Sequence, residues 1–335
     1  MPAPQVIVVS PRGSGTPLLA DAMTRLGHTS YGTMSGHVPH GSDRPDQPGP
    51  GEVHALLTAA YGEDRAARLL HRRGPEHAGL TDAFHTAVSA LWRVWWARLG
   101  QPVTAASPVD PGAESRLARL PDAELRRLLP GRGCWYVSGL DLGRADAGFL
   151  RAWHADARPP IIFHHRDVRD RVISLIRLLS GPADRVGTLP DQLIYRDIVG
   201  ALPTMDARIT LALTDPDFPG MAETRSCQWL LRHPAVTVIT HEDLAGPAHG
   251  GTAEAREQAL SRIREAIGHP SPAGTDPPPG RLPNPTPTPG ADARTGGGGA
   301  GDLTVGIWRS HFTPAHERLL DRHYGDLPAA CREAV

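Results

Sequence analysis

Lysine is absent from the chain, so all 35 of its basic residues are arginine. An arginine stays protonated at any working pH, so the protein can supply fixed positive charge but no lysine that exchanges a proton. With 36 acidic residues the formal net charge is −1, and the arginines form no local basic patch. Because nucleic-acid binding needs such a patch, we expect no nucleic-acid partner.

Cysteine is scarce and long apolar runs are missing. The three cysteines, Cys134, Cys227 and Cys331, have no CxxC spacing, which argues against a disulfide framework or a zinc site and predicts free thiols in a reducing compartment. The apolar run at residues 6–9 is far too short for a signal peptide or a membrane span. We therefore expect a cytoplasmic protein with no membrane partner.

Apolar periodicity predicts alternating strands and helices along most of the chain. Buried strands are expected at residues 5–10, 103–106, 135–138, 160–165 and 236–240. Helices are expected at residues 17–26, 53–72, 81–99, 114–129, 169–179, 189–213, 221–233, 253–267 and 313–324. Alternation of this kind predicts an α/β fold of three layers, with helices flanking a central parallel sheet.

The 335 residues are expected to form a single domain that carries two irregular segments. Residues 28–52 are rich in Gly, Pro, His and Ser and predict a long loop of the kind that often binds ligands or closes over a site. Residues 269–301 are rich in Pro and then in Gly, which predicts a flexible insertion. Order is expected to resume at Leu303.

A glycine-rich turn, Pro11-Arg12-Gly13-Ser14-Gly15-Thr16, joins the first predicted strand to the first predicted helix. Backbone N–H groups and the helix dipole favour an anion at such a helix N-terminus, which indicates a phosphate site. The turn is not a Walker A loop, because the GxxxxGK[ST] pattern of that loop is absent and the chain has no lysine. A tight turn with a purely structural role is the alternative interpretation.

A second segment, from His165 to Ser174, joins the strand at 160–165 to the next helix. Ligands of open parallel sheets bind at this kind of strand end. Arg166 could bind a phosphate through two N–H groups, and Ser174, eight residues later, could add a hydroxyl. The alternative is a network of exposed ion pairs. Two strand-end segments could hold the two ends of one nucleotide.

Both segments resemble motifs of the sulfotransferases that use 3′-phosphoadenosine 5′-phosphosulfate (PAPS). The 5′-phosphosulfate loop of that family, Pro-Lys/Arg-Ser-Gly-Thr-Thr, is similar to residues 11–18 with Gly13 inserted. The 3′-phosphate motif, Arg-Asp/Asn-Pro-Arg-Asp-x-x-x-Ser, has Val168 here in place of its proline. Its other positions are matched at the same spacing by Arg166, Asp167, Arg169, Asp170 and Ser174.

Two later stretches extend the resemblance towards the C-terminus. Residues 238–244, Val-Ile-Thr-His-Glu-Asp-Leu, are similar to the family's structural Tyr-Glu-Asp-Leu, and residues 305–312 are similar to its Gly-Asp-Trp-Lys-x-His-Phe segment. The four landmarks follow the family's order, each with the expected strand or helix beside it.

The resemblance implies a P-loop-like α/β enzyme that moves a sulfuryl group from PAPS to a hydroxyl of a small molecule and releases 3′-phosphoadenosine 5′-phosphate (PAP). It implies that Arg12 is catalytic, stabilising the leaving 5′-phosphate. No metal is implied, and closely spaced carboxylates of the metal-ligand type are absent from the sequence. The PAPS-binding residues that the resemblance implies are Arg12, Gly13, Ser14, Gly15, Thr16, Pro17, Arg166, Ser174, Trp308 and Arg309.

The chain departs from the family at two places. An Arg-Lys-Gly that often closes the 3′-phosphate site corresponds here to residues 301–303, Gly-Asp-Leu, so the candidates to replace it are Arg294 and Arg309. Many relatives take their general base from a Lys-Thr-His segment, and the matching stretch at 136–141 has no histidine. Asp141 is one candidate for the base, and His37, in the loop after the first helix with His28 and His40, is the other.

Two further functions are compatible with the opening strand, turn and helix. A P-loop nucleoside or small-molecule kinase shares that unit, but the loop lysine and a clear metal carboxylate are missing. An inactive nucleotide-binding relative would explain the missing base. For a sulfotransferase, the acceptor-side loop at 28–52 and residues 181–225 are expected to set acceptor specificity, and the expected acceptor is a specialised metabolite such as an antibiotic.

Overall fold

A computed structural model describes residues 6–26, 28–31, 50–71, 77–100, 110–128, 133–156, 159–181, 190–268 and 303–325, and every structural statement below concerns these residues. The predicted strand at 103–106 and the predicted insertion at 269–301 lie outside them. Of the predicted acceptor-side loop, residues 32–49 lie outside them as well.

Five parallel strands form one sheet in the order β2-β3-β1-β4-β5. The strands are β1 (Val6–Val9), β2 (Thr29–Tyr31), β3 (Gly133–Val137), β4 (Ile161–His165) and β5 (Val236–Thr240). The central strand, β1, places Val9 opposite Val137 of β3 on one side and opposite Phe163 of β4 on the other. Because the strands are parallel, their carboxyl ends share one edge of the sheet, where ligands of such sheets bind.

Most of the described chain outside the sheet is helical. The α-helices are α1 (Thr16–Arg25), α2 (Pro50–Tyr61), α3 (Glu63–Leu70), α4 (His77–Arg98), α5 (Pro111–Ala118), α6 (Asp122–Arg127), α7 (Ala147–Asp156), α8 (Val168–Leu179), α9 (Pro190–Ala201), α10 (Met205–Thr214), α11 (Met221–Ser226), α12 (His241–Ala245), α13 (Ala253–Ala266) and α14 (Pro314–Tyr324). Short 3₁₀-helices lie at Gln228–Leu231, Pro247–His249 and Ile307–Ser310.

Helices cover both faces of the sheet, because alternate residues of β1 belong to different apolar clusters. Ile7 and Val9 lie in a cluster with residues of α2, α4 and α7, among them the buried Trp95. Val6 and Val8 lie in a second cluster with residues of α1 and α13. The continuous β-branched run of β1 is buried on both sides, as a central parallel strand requires.

The C-terminal helix packs beside the helix that follows β4. A third apolar cluster joins α8, α9, α10 and α14. At the start of α14 the hydroxyl of Thr313 accepts from the His316 N–H, and the Thr313 N–H donates to His316 Nδ1. With Pro314 in the first turn, this confirms the helix start predicted from the Thr-Pro pair.

The predicted α/β class, with a central parallel sheet flanked by helices, is confirmed. Several expected single helices are two, because glycine or proline interrupts them: residues 53–72 divide at Gly62, which has φ 85°, and residues 114–129 divide at Pro121. Residues 29–31 form β2 where a loop was expected. Helix α7 was not predicted.

Candidate functional site

The turn after β1 is built around two glycines in the left-handed region. Gly13 has φ 81° and Gly15 has φ 82°, and the Ser14 N–H donates to the Pro11 carbonyl at 3.0 Å. A Cβ on Gly13 would lie 2.9 Å from Cγ of Arg171, and a Cβ on Gly15 would overlap the ring of His241. Glycine is therefore required at both positions.

This turn presents donors at the start of α1. Gly15 occupies the N-cap of α1 and has no side chain with which to cap the first helical N–H groups. The hydroxyl of Ser14 is buried and has no hydrogen-bond partner among the described residues. On the sheet side, Ser10 Oγ lies 2.8 Å from Thr16 Oγ1 and 3.1 Å from His164 Nδ1. A buried hydroxyl without a partner at a helix N-terminus suits an anion.

Arg12 is buried between two carboxylates that come from distant helices. Its Nη1 donates to Asp191 of α9 at 2.9 Å, its Nε lies 3.1 Å from Oε1 of Glu223 of α11, and its backbone N–H donates to Glu223 Oε2 at 3.2 Å. Burial alone lowers the pKa of Arg12, but Glu223 and Asp191 raise it above its ordinary value overall. The guanidinium is thus a permanent charge held at the strand edge.

Arg166, directly after β4, lies against the turn that follows β1. Its side chain has 0% exposed surface, its Nη2 donates to the Thr304 carbonyl at 2.8 Å, and its Nη1 donates to the Gly13 carbonyl at 3.5 Å. Asp170 Oδ2 lies 3.9 Å from Nη2. The structure therefore brings together the two sequence segments that were expected to share one nucleotide.

Residues 303–308 lie over Arg166, and hydrogen bonds from their backbone hold them to side chains of the segment that follows β4. Asp170 accepts from the Gly306 N–H at 2.6 Å and from the Trp308 N–H at 2.9 Å. Burial raises the pKa of Asp170, and these two N–H groups and Arg166 act in the opposite direction. The guanidinium of Arg169 stacks 3.7 Å from the centre of the Trp308 ring. The C-terminal segment thereby covers Arg166.

Three buried histidines surround the strand ends without adding charge. Burial lowers the pKa of His165 to about 4 and that of His241 to about 3, and it also lowers the pKa of His164. His241 Nε2 donates to the Leu303 carbonyl at 2.8 Å, which leaves Nδ1 as an acceptor, and Nδ1 has no partner in the described part of the chain. The positive charge of the site therefore comes from arginine alone.

Glu242 is the buried carboxyl beside these groups. Its Oε1 accepts from the Asp167 N–H at 3.0 Å, while Oε2 has no partner among the described residues. Burial raises its pKa to about 7, with the nearby Asp167 charge acting in the same direction and Arg166 in the opposite one. Near neutral pH this group therefore exchanges between its acid and its carboxylate.

The other residues predicted from the sequence are half-buried, have only local contacts, or lie outside the described residues. Ser174 is half-buried on α8, eight residues after Arg166. Cζ of Arg309 lies 5.1 Å from the centre of the Trp308 ring. Asp141 is half-buried, and its Oδ1 accepts from the Gly143 N–H at 2.8 Å within its own turn. The alternative base His37, together with His40 and Arg294, lies outside the described residues.

The site contains residues that the sequence did not single out. Glu223 and Asp191 are two of 36 acidic residues and carry no local motif. Thr304 contacts Arg166 through its backbone carbonyl, so the pattern of side chains in the sequence could not predict this contact. His241 lay in a segment expected to be structural, and only the packing against Gly15 draws attention to it.

Within the described residues, histidine, cysteine, aspartate and glutamate form no group of three or more that could hold a metal ion. None of the described helices is both long and apolar enough to cross a membrane. Cys134 and Cys227 are buried free thiols, and burial raises the pKa of each to about 12. Cys331 lies outside the described residues.

Comparison with known proteins adds no relative. No protein-family model matches the chain, and no curated protein sequence matches it.

The buried carboxyl of Glu242 predicts a pH-dependent stability. Its pKa rises from an ordinary 4.5 to about 7 on folding, so its stabilising contribution is complete below the lower value and is lost as the pH rises through the upper one. We expect Glu242→Gln to match the wild type near about pH 4 and to raise the free energy of unfolding by about 1–3 kcal/mol at about pH 8. Urea denaturation at both pH values measures this difference.

Glu265→Gln, an exposed change on α13, is the matched control and should produce no pH-dependent difference. If Glu242→Gln changes the free energy of unfolding equally at both pH values, the carboxyl is ionised in the folded protein at both, and folding does not raise its pKa.

Proposed function

We propose that the protein is a sulfotransferase that uses PAPS as donor and transfers its sulfuryl group to a hydroxyl of a small molecule. The observation that carries this proposal is the approach of Arg166 to Gly13 at 3.5 Å across the adjacent strands β4 and β1. The two segments resembling the 3′-phosphate and 5′-phosphosulfate motifs thereby border one site, as a single nucleotide with a phosphate at each end would require.

The chemistry of the site fits such a nucleotide. Arg12 and Arg166 carry fixed positive charges, Arg12 paired with Asp191 and Glu223 and Arg166 paired with Asp170, and the turn lies at a helix N-terminus. Ser14 Oγ is a buried polar atom that no described residue satisfies. Buried polar atoms are rarely left without partners, so a polar ligand would account for it.

Each residue has a distinct role in this proposal. Arg166 and Ser174 bind the 3′-phosphate, for which the Thr304 carbonyl has to move away from Arg166 Nη2, and Trp308 and Arg309 border that end of the nucleotide. The turn from Gly13 to Pro17 holds the 5′-phosphate. PAPS supplies an activated sulfuryl group, and Arg12 stabilises the charge that grows on the phosphate oxygen as the group leaves. No metal ion is needed for this charge stabilisation.

Binding of PAP tests the donor assignment without knowledge of the acceptor. We expect PAP to bind with a dissociation constant on the order of micromolar without magnesium, and AMP to bind much more weakly, because AMP lacks the 3′-phosphate. Arg166→Ala should weaken PAP binding by about 1.5–3 kcal/mol and change AMP binding much less. Calorimetry measures each affinity, with thermal unfolding as the check on folding.

Arg151→Ala, which removes an exposed arginine from α7, is the matched control and should leave both affinities unchanged. Equal affinity of the wild type for PAP and AMP would contradict the assignment, because a site without a 3′-phosphate subsite does not distinguish them.

Arg12 should matter more for turnover than for donor binding, because the leaving phosphate gains its charge only as the S–O bond breaks. We expect Arg12→Ala to lower kcat about 100-fold or more with a much smaller change in PAP affinity. Arg12→Lys should recover much of the rate, since an ammonium can reach the same oxygen. Transfer of radiolabelled sulfate from PAPS to a panel of hydroxylated acceptors gives kcat.

A loss of PAP affinity in Arg12→Ala with kcat intact would make Arg12 an anchoring residue. The catalytic role would then be wrong, while the donor assignment would stand.

A further inference from the structure

Glu223 places a carboxylate between the turn after β1 and the end of β3. Its two oxygens face Arg12, one accepting from the backbone N–H at 3.2 Å and the other lying 3.1 Å from Nε. β1 and β3 are paired, and the Ser10 N–H donates to the Val137 carbonyl at 2.8 Å. The segments that follow the two strands therefore begin side by side. A Cβ on Gly139 would lie 3.7 Å from Glu223 Cγ. The carboxylate therefore borders both strand ends.

The segment after β3 places no side chain of its own at position 139, which Glu223 borders. Gly139 has no side chain, and the stretch at 136–141 has no histidine. Asp141, two residues further on, uses Oδ1 to accept from Gly143 within its own turn. Two described acidic side chains, Glu223 and Asp191, contact Arg12.

The contacts of Glu223 leave it able to act as a base. An ionised carboxylate offers about four lone-pair positions, so Glu223 can accept a hydroxyl proton while both Arg12 contacts are kept. Its side chain is 17% exposed, which leaves it accessible from outside. A base must come within hydrogen-bond reach of the acceptor oxygen, and that oxygen must approach the group held near Arg12.

We infer that Glu223 is the general base of the sulfuryl transfer, and this inference rests on the proposed function. The acceptor hydroxyl gives its proton to the Glu223 carboxylate, and its oxygen forms the new bond to sulfur. The bond between sulfur and the 5′-phosphate oxygen breaks, and its electron pair stays on that phosphate.

Asp191 provides a matched control because it carries the same charge on the same arginine. It contacts only the terminal Nη1, at 2.9 Å, and its side chain is 44% exposed. Asp191→Asn and Glu223→Gln each remove one negative charge from Arg12 and keep the shape of the side chain. An effect shared by both variants reports on Arg12, whereas an effect confined to Glu223→Gln reports on the base.

The first measurement compares acceptors that differ in their need for a base. With an aliphatic alcohol or with water as acceptor, we expect Glu223→Gln to lower kcat about 100-fold or more. With 4-nitrophenol, already ionised in mildly alkaline buffer, the loss should be below about 5-fold. Asp191→Asn should lose less than about 5-fold with every acceptor. A merely structural role would lower all the rates together.

The second measurement needs no turnover. A carboxylate that faces the transferred group repels its negative charge, so Glu223→Gln should tighten PAPS binding relative to PAP about 5- to 10-fold. Asp191→Asn should change this ratio less, because the Asp191 side chain is 44% exposed and solvent screens its charge. Calorimetry with PAP also shows whether each variant is folded, and if Glu223→Gln does not fold, Glu223→Asp, which withdraws the carboxylate by one methylene, should show the same acceptor dependence.

The outcomes separate this inference from the function on which it rests. A wild type that neither prefers PAP to AMP nor turns over PAPS overturns the proposed function, and the base with it. A wild type that binds PAP and transfers sulfate, together with a Glu223→Gln variant that keeps its kcat for the alcohol, overturns the base alone. PAP binding without turnover of PAPS, even by water, also overturns the base.

Discussion

A guanidinium with no exposed surface lies at the carboxyl edge of the sheet. Burying the charge of Arg166 costs free energy unless hydrogen bonds and an opposite charge compensate it. The compensation comes from three parts of the chain: the Gly13 carbonyl after β1, the Thr304 carbonyl near the C-terminus, and Asp170 on α8. Removal of any of these would leave the charge less well satisfied, so Arg166 ties the turn, the helix and the C-terminal segment together.

The same arrangement determines the electrostatics of the site. The histidines around Arg166 stay neutral because burial, reinforced for His164 and His241 by the charge of Arg166, lowers their pKa values. The buried Glu242 keeps its proton to about pH 7. The cations of the site are therefore arginines, and they are paired with carboxylates: Arg12 with Asp191 and Glu223, and Arg166 with Asp170.

The sequence predicted the parts of the site that depend on local pattern. Strand β1 and the glycine turn could be read from a β-branched run followed by Pro and Gly, and Arg166 from its place after a buried strand. Glu223 and Asp191 could not be predicted, because their contact with Arg12 spans 211 and 179 residues of sequence separation and follows from helix packing. The packing of the C-terminal segment over Arg166 could not be predicted either. It uses backbone atoms: the carbonyl of residue 304 accepts from Arg166, and the N–H of residue 306 donates to Asp170.

The position of the nucleotide is the central claim, and a crystal structure of the protein with PAP tests it most directly. We expect the 3′-phosphate against Arg166 and Ser174, and the 5′-phosphate at the N–H groups of the turn from Gly13 to Thr16, within reach of Arg12. A PAP molecule whose 3′-phosphate points into solvent, or that binds away from the ends of β1 and β4, would contradict the account.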